Sequence, residues 1–386
     1  MIEKLPIDKI DIRYLLSMAI ILISSIKKKR TTFQSTVLAI LILWIAFGLK
    51  NTAFVLVSIA INIILLWIFR LNEYCFTVLN ILNLYVYKML GKSFEPRIRS
   101  TFDVSGILML LTVKMGYISK FFDGNIANIL DYIFFIPGLV TGPTAPYREF
   151  ANRDRKVDVA FPYKQALITL VFLTSHAFLR VFPFKDYILS PDMPVIFKFI
   201  FLYLFNLCGR TKFHFAWNFA HCCFILYNLP EYLNIDFCKV EFTESVREIS
   251  SYWNQFISLW LKTLFFNPLK EKSISKAVIV SHLSSAALHG INPCYLIFFL
   301  SFAMYSKPVS FANNILKFKI LKQVQMIFFI SYFSMPFYLL DVKELFAIWK
   351  NVYFYGHVYF TFWFIYYWAT KIFRKSKKIK DESKKD

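Results

Sequence analysis

The chain has 386 residues, of which 57% are hydrophobic, 19% aromatic and 18% charged, with 45 phenylalanines and a formal net charge of +21. A soluble protein of this length carries nearer ~25% charged residues and cannot hide so much apolar surface in an aqueous core. Composition therefore excludes a water-soluble globule and points to a polytopic membrane protein whose basic excess meets lipid headgroups rather than nucleic acid.

In chain order, an apolar stretch from Tyr14 to Ile26 ends in the basic run Lys27-Lys28-Lys29-Arg30. No small-residue cleavage site follows, so the expectation is an anchor or interfacial helix. Apolar stretches then recur at 33–49, 52–69, 74–90, 104–118, 126–140, 166–182, 195–208, 213–229, 277–305, 324–340 and 345–368. A span needs roughly 20 residues, so several of these predict tilted, re-entrant or interfacial helices. The expected fold is an all-α, polytopic membrane helical bundle of about nine to eleven embedded helices. Residues 1–370 form one transmembrane domain, and 371–386 a basic tail on the cytosolic side. The basic connectors at 27–30, 97–99 and 148–156 set topology and would attract a polyanionic substrate.

The cysteines, Cys75, Cys208, Cys222, Cys223, Cys238 and Cys294, make no CxxC pair and read as packing residues. His221 beside Cys222 and Cys223 is a poor metal set, because adjacent helical residues diverge by about 100°.

Three segments carry more than hydropathy. In Phe135–Phe150, three prolines and two glycines force a defined turn around Gly142 and Pro143, and Tyr147 and Arg148 follow at the membrane boundary. In Glu244–Phe266, Ile249, Trp253, Phe256, Ile257, Trp260, Leu261 and Leu264 recur at helical spacing. The opposite stripe is Arg247, Ser251, Asn254, Ser258 and Lys262, which predicts one amphipathic helix in the interface. Asn254 offers an amide, and Arg247 and Lys262 suit phosphates. The third segment, Ser285–Tyr295, carries His289 inside an apolar stretch, directly before Gly290 and Pro293. A charged side chain in the bilayer centre costs ~2.5–3.5 kcal/mol or more, and a broken helix there must line protein or water. Imidazole is also the side chain best suited to take a proton near neutral pH.

Taken in order, Thr141-Gly142-Pro143…Tyr147…Phe150, Phe215-Ala216-Trp217, Val240-Glu241-Phe242…Ser245, Trp253-Asn254…Trp260-Leu261-Lys262 and Ser285…His289-Gly290…Pro293…Tyr295 resemble the membrane-bound O-acyltransferase family, and within it the lysophospholipid acyltransferases. The resemblance covers roughly residues 135–300; Leu288 stands where a Trp is common and Cys294 where a Gly is usual. It implies a helical bundle around a central catalytic cavity, entered by acyl-CoA from the cytosol and by lipid from the bilayer. It also implies a multi-pass protein of the endoplasmic reticulum membrane, with acyl-CoA as co-substrate and no tightly bound cofactor or metal. His289 and Asn254 stand at the positions held essential in that family. The remaining candidate contacts are Gly142, Pro143, Tyr147, Arg148, Arg247, Trp253, Ser258, Lys262 and Ser285.

The expected reaction is re-esterification of the free hydroxyl of a lysophospholipid. His289 takes the hydroxyl proton, and Asn254 positions the histidine or the acyl group or stabilises the oxyanion. Within the resemblance, a neutral lipid, a sterol or a peptide hydroxyl is the alternative acceptor. From other classes stand an inactive scaffold and a transporter, although the paired broken helices of many transporters are not visible.

Overall fold

The computed structural model describes residues 9–27, 30–94, 104–122, 124–140, 142–153 and 159–382. The basic residues Lys28, Lys29, Arg97, Arg99, Arg155 and Lys156, Thr141 and the last four residues lie outside the described residues. The first half runs through α1 (Lys9–Ile26), α2 (Thr32–Phe69), α3 (Glu73–Phe94), α4 (Ser105–Lys120), α5 (Ile126–Ile133), α6 (Tyr147–Ala151), α7 (Tyr163–Leu179), α8 (Phe184–Leu189) and α9 (Val195–Leu226). The second half contains α10 (Phe237–Glu241), α11 (Val246–Tyr252), α12 (Gln255–Leu261), α13 (Asn267–Lys270), α14 (Ile274–His289), α15 (Pro293–Ile315), α16 (Lys319–Phe333), α17 (Met335–Leu339), α18 (Val342–Asn351) and α19 (Tyr355–Glu382). The fold is all-α. Among the described residues, the β pairing consists of a single bridge between Ile235 and Trp253.

Helix starts follow the polar residues that precede them. Thr31 and Gln34 form a reciprocal cap at α2, while Ser245, Ser273, Asn292 and Asp341 accept from the first turns of α11, α14, α15 and α18. The apolar stretches at 33–49 and 52–69 join into α2, kinked at Gly48, where φ is 78°.

The number of spans expected from hydropathy is not confirmed. Among the described residues, α2 and α15 are the two helices long and apolar enough to cross a bilayer, against the expected nine to eleven embedded helices. One reason is breakage: the stretches at 126–140, 324–340 and 345–368 each contain a helix end. The other is charge. Stretches 195–208 and 213–229 fuse into the 32-residue α9, which carries Lys198, Arg210 and Lys212. Arg210 can lie buried within α9 because Glu241 neutralises it: its Nε donates to Glu241 Oε1 at 2.5 Å and its Nη2 to Oε2 at 2.7 Å.

Two hydrophobic cores organise the bundle. One joins α1–α5, the turn after α5 and the end of α9; the other joins α8, the start of α9 and α15–α19. Two smaller clusters add to these, the first of them sharing Met109 and Tyr117 with the first core. Val113, Leu261, Leu264 and Leu288 surround Trp260, and Trp217, Ile235 and Val240 pack with Trp253. Elsewhere, Leu41, Trp44, Val57, Leu82, Leu167 and Leu170 are exposed on α2, α3 and α7. Apolar faces of that extent suit lipid contact rather than water.

Candidate active site

Asn254 is not on a continuous amphipathic helix. The predicted helix at 244–266 is cut after Tyr252, and Asn254 adopts the left-handed conformation at φ 49°, ψ 54° between α11 and α12. Asparagine tolerates this region better than most residues. The cut is stabilised by Asn234, which is buried in the loop before α10. Its Nδ2 donates to Asn254 Oδ1 at 3.1 Å, while its carbonyl and Oδ1 accept from the Gln255 and Phe256 amides at 3.0 and 3.2 Å. With Oδ1 engaged, the Asn254 amide nitrogen remains as a donor. Beyond α12, Lys262–Phe266 forms a π turn, a feature frequent near functional sites. The polar stripe is thereby split: Arg247 and Lys262 are exposed on different segments, and Ser258 is half-buried, its hydroxyl 3.4 Å from the Trp253 carbonyl.

His289 ends α14, as the Gly…Pro break predicts. Gly290 has φ 112°, and α15 begins at Pro293. The imidazole stacks on Phe299 at 5.4 Å, lies tilted beside Tyr295 at 5.2 Å and meets Phe337 edge-on at 5.0 Å. Among the described residues, no side chain or backbone group hydrogen-bonds either ring nitrogen. Ser285 is buried one turn earlier on α14. Leu288, in the place where a Trp is common, is buried in the Trp260 cluster.

An aromatic run links the two predicted residues. Trp253 contacts Phe213 at 5.7 Å, Phe213 contacts Phe337 at 6.3 Å, and Phe337 meets His289. Among the described residues, the His289 and Asn254 side chains share no hydrogen bond. Trp253 also packs against Trp217 at 5.3 Å and His214 at 6.0 Å.

The turn at 135–150 supports the asparagine side. Tyr147 is buried against Tyr132 at 5.2 Å, with Phe150 packed on the same Tyr132 ring, and Arg148 is exposed. Gly142 and Pro143 are buried, with φ 71° at Gly142. Glu149 accepts from the Tyr232 hydroxyl at 2.6 Å, and the Tyr232 ring packs on Phe256 at 5.1 Å. The turn is thus coupled to the residues that hold Asn254. A cavity of about 570 Å³ opens between α7 and α9, with Phe172, Thr211 and Phe237 among its lining. It flanks the Trp253 side of the site, and none of the predicted residues is among its lining.

Residues 119–318 match the model of the membrane-bound O-acyltransferase family. The chain belongs to that family. Its relatives include a lysophospholipid acyltransferase of Schizosaccharomyces pombe, 22% identical over 291 residues covering 61% of this chain and 56% of the relative. One of Saccharomyces cerevisiae is 24% identical over 377 residues, covering 73% of this chain and 61% of the relative. The mouse membrane-bound glycerophospholipid O-acyltransferase 2 is 24% identical over 272 residues, covering 61% and 51%. The chain thus spans between half and two thirds of the length of these relatives.

Sequence reasoning missed Asn234, Phe213, Phe299 and Phe337. Phenylalanines carry no signal in a chain with 45 of them. Asn234 had one: a polar residue in a short loop between apolar runs, of the type that satisfies backbone amides.

Proposed function

We propose that this membrane-bound O-acyltransferase transfers a fatty acyl group from acyl-CoA to the free hydroxyl of a lysophospholipid, with His289 as general base and Asn254 as oxyanion donor. The observation that carries the assignment of roles is the complementary state of the two side chains. Among the described residues, neither ring nitrogen of His289 has a hydrogen-bond partner, and Asn254 has its oxygen engaged by Asn234 while its NH2 donates to none of them. The lysophospholipid acceptor is supported by the relatives' names and by the order of the five segments.

The lipid hydroxyl oxygen attacks the thioester carbonyl carbon while a neutral His289 nitrogen takes its proton. The tetrahedral oxyanion accepts from the Asn254 amide; one such donor is worth about 3–4 kcal/mol in a well-studied hydrolase. The C–S bond then breaks, and the imidazolium returns the proton to the CoA sulfur. The products are the diacyl lipid and free CoA, and the histidine is neutral again. Aromatic walls around His289 keep out water, the competing acceptor. An endoplasmic reticulum location follows from this reading as the meeting place of both substrates.

The test is acyl transfer in membranes from oleoyl-CoA to a panel of choline, ethanolamine, serine and inositol lysophospholipids, with diacylglycerol and a sterol included. Transfer to a lysophospholipid that His289→Ala abolishes is the expected result. Transfer confined to a neutral lipid or sterol overturns the acceptor, and undiminished turnover by His289→Ala overturns the base.

A further inference from the structure

The carbonyl of His289 ends a helix that stops inside an apolar bundle. Gly290 departs from helical geometry at φ 112°, so the last carbonyls of α14 need partners from outside the helix. Lys88 on α3 supplies one, 201 residues away: its Nζ donates to the His289 oxygen at 2.5 Å. The same ammonium lies 5.6 Å from the centre of the Tyr295 ring, which itself flanks the imidazole. A cation at this end also meets the negative pole of the helix.

Gly290 is part of the arrangement. A Cβ there would stand 2.8 Å from both Cδ and Nζ of Lys88 and 3.0 Å from Cε. The lysine stem therefore occupies the space that the missing side chain leaves open. Lys88 touches the backbone of His289, the flank of Gly290 and the face of Tyr295, and lies outside the 119–318 family match.

We infer that Lys88 is a positioning residue for acyl transfer, acting through His289 by fixing the end of α14 and the Tyr295 ring against which the imidazole rests. The inference rests on the base role given to His289 above. A displacement of about 1 Å at a reacting group costs on the order of a hundredfold in rate. Losing the clamp therefore lowers turnover while leaving donor and acceptor affinity largely alone.

The experiment uses the full chain in membranes, with oleoyl-CoA and the lysophospholipid that gives the highest wild-type turnover. Lys88→Met, Lys88→Gln, Lys88→Arg and His289→Ala are compared for kcat, KM and thermal midpoint. The expected order of kcat is wild type, then Arg, Gln and Met, with Lys88→Met down ~10- to 100-fold and KM for oleoyl-CoA within about twofold. If Lys88→Met does not fold, the Arg-to-Gln step carries the same test. A flat kcat series, or a loss confined to KM, overturns the inference when His289→Ala is inactive. An active His289→Ala overturns the base reading instead, and this inference with it.

Discussion

The two halves of the candidate site are held by opposite physical means. Asn254 is fixed by polar contacts from the loop before α10, where Asn234 supplies donor and acceptors in place of a helix ladder. His289 is fixed by Phe299, Tyr295 and Phe337 around its ring and by Lys88 behind its backbone. A hydrogen-bonded amide is directional and keeps only its unused end available, which suits a group that must point at one developing charge. An imidazole held only by ring packing keeps both nitrogens uncommitted, which suits a group that takes and returns a proton.

The largest effect tests the histidine half. His289→Ala is expected to reduce acyl transfer by ~10²–10⁴-fold, the usual range for general acid–base catalysis, with expression and thermal midpoint near wild type. Turnover within a few-fold of wild type would leave the aromatic enclosure without a catalytic purpose.

The asparagine half predicts coupling. On the proposed role, Asn254→Ala should lower kcat by ~10²–10³-fold with little change in KM, the range for removing a lone oxyanion donor. Asn234→Ala removes the side-chain bonds to Asn254 and Phe256, and its loss should be smaller. If Asn234 acts only through Asn254, the double variant is no slower than Asn254→Ala alone. Additive losses would mean that Asn234 has a separate role.

Much of this site was legible in the sequence, for reasons that also show where legibility ends. The break at Gly290 and Pro293 is a backbone property, so it was readable from residue types. The split at Asn254 was not, because the apolar spacing of Ile249, Trp253, Phe256 and Trp260 fits one helix equally well. What overrides that spacing is Asn234, twenty residues away in the chain. Hydropathy likewise divided α9 in two at Arg210, since the Glu241 that neutralises it lies 31 residues further on. Long-range polar pairing is invisible to periodicity, and in this chain it decides both cases.

The Arg210–Glu241 pair sharpens the comparison at the level of stability. Both side chains are at most 4% exposed, and the pair ties α9 to α10, next to the loop that holds Asn254. Removing one partner leaves a buried charge, so Arg210→Met or Glu241→Gln should each cost about 3–5 kcal/mol, read as a lowered thermal midpoint. Arg210→Met combined with Glu241→Leu should recover much of that loss. Recovery of stability without activity would show that the pair also sets the Asn254 geometry; recovery of both would make it a fold anchor alone.

The smallest effect concerns the exposed cations of the asparagine half. Arg247 and Lys262 lie on either side of the break at Asn254, exposed and on different segments. A cation near an anionic surface contributes about 1 kcal/mol, which corresponds to roughly fivefold in affinity. Arg247→Ala and Lys262→Ala should therefore raise KM for oleoyl-CoA a few-fold, leave kcat unchanged, and lose their effect at high ionic strength because exposed charges are screened. A fall in kcat from either variant would place that side chain at the reacting atoms. The asparagine half would then use charge as well as its amide, and the division between a polar half and an aromatic half would no longer describe the site.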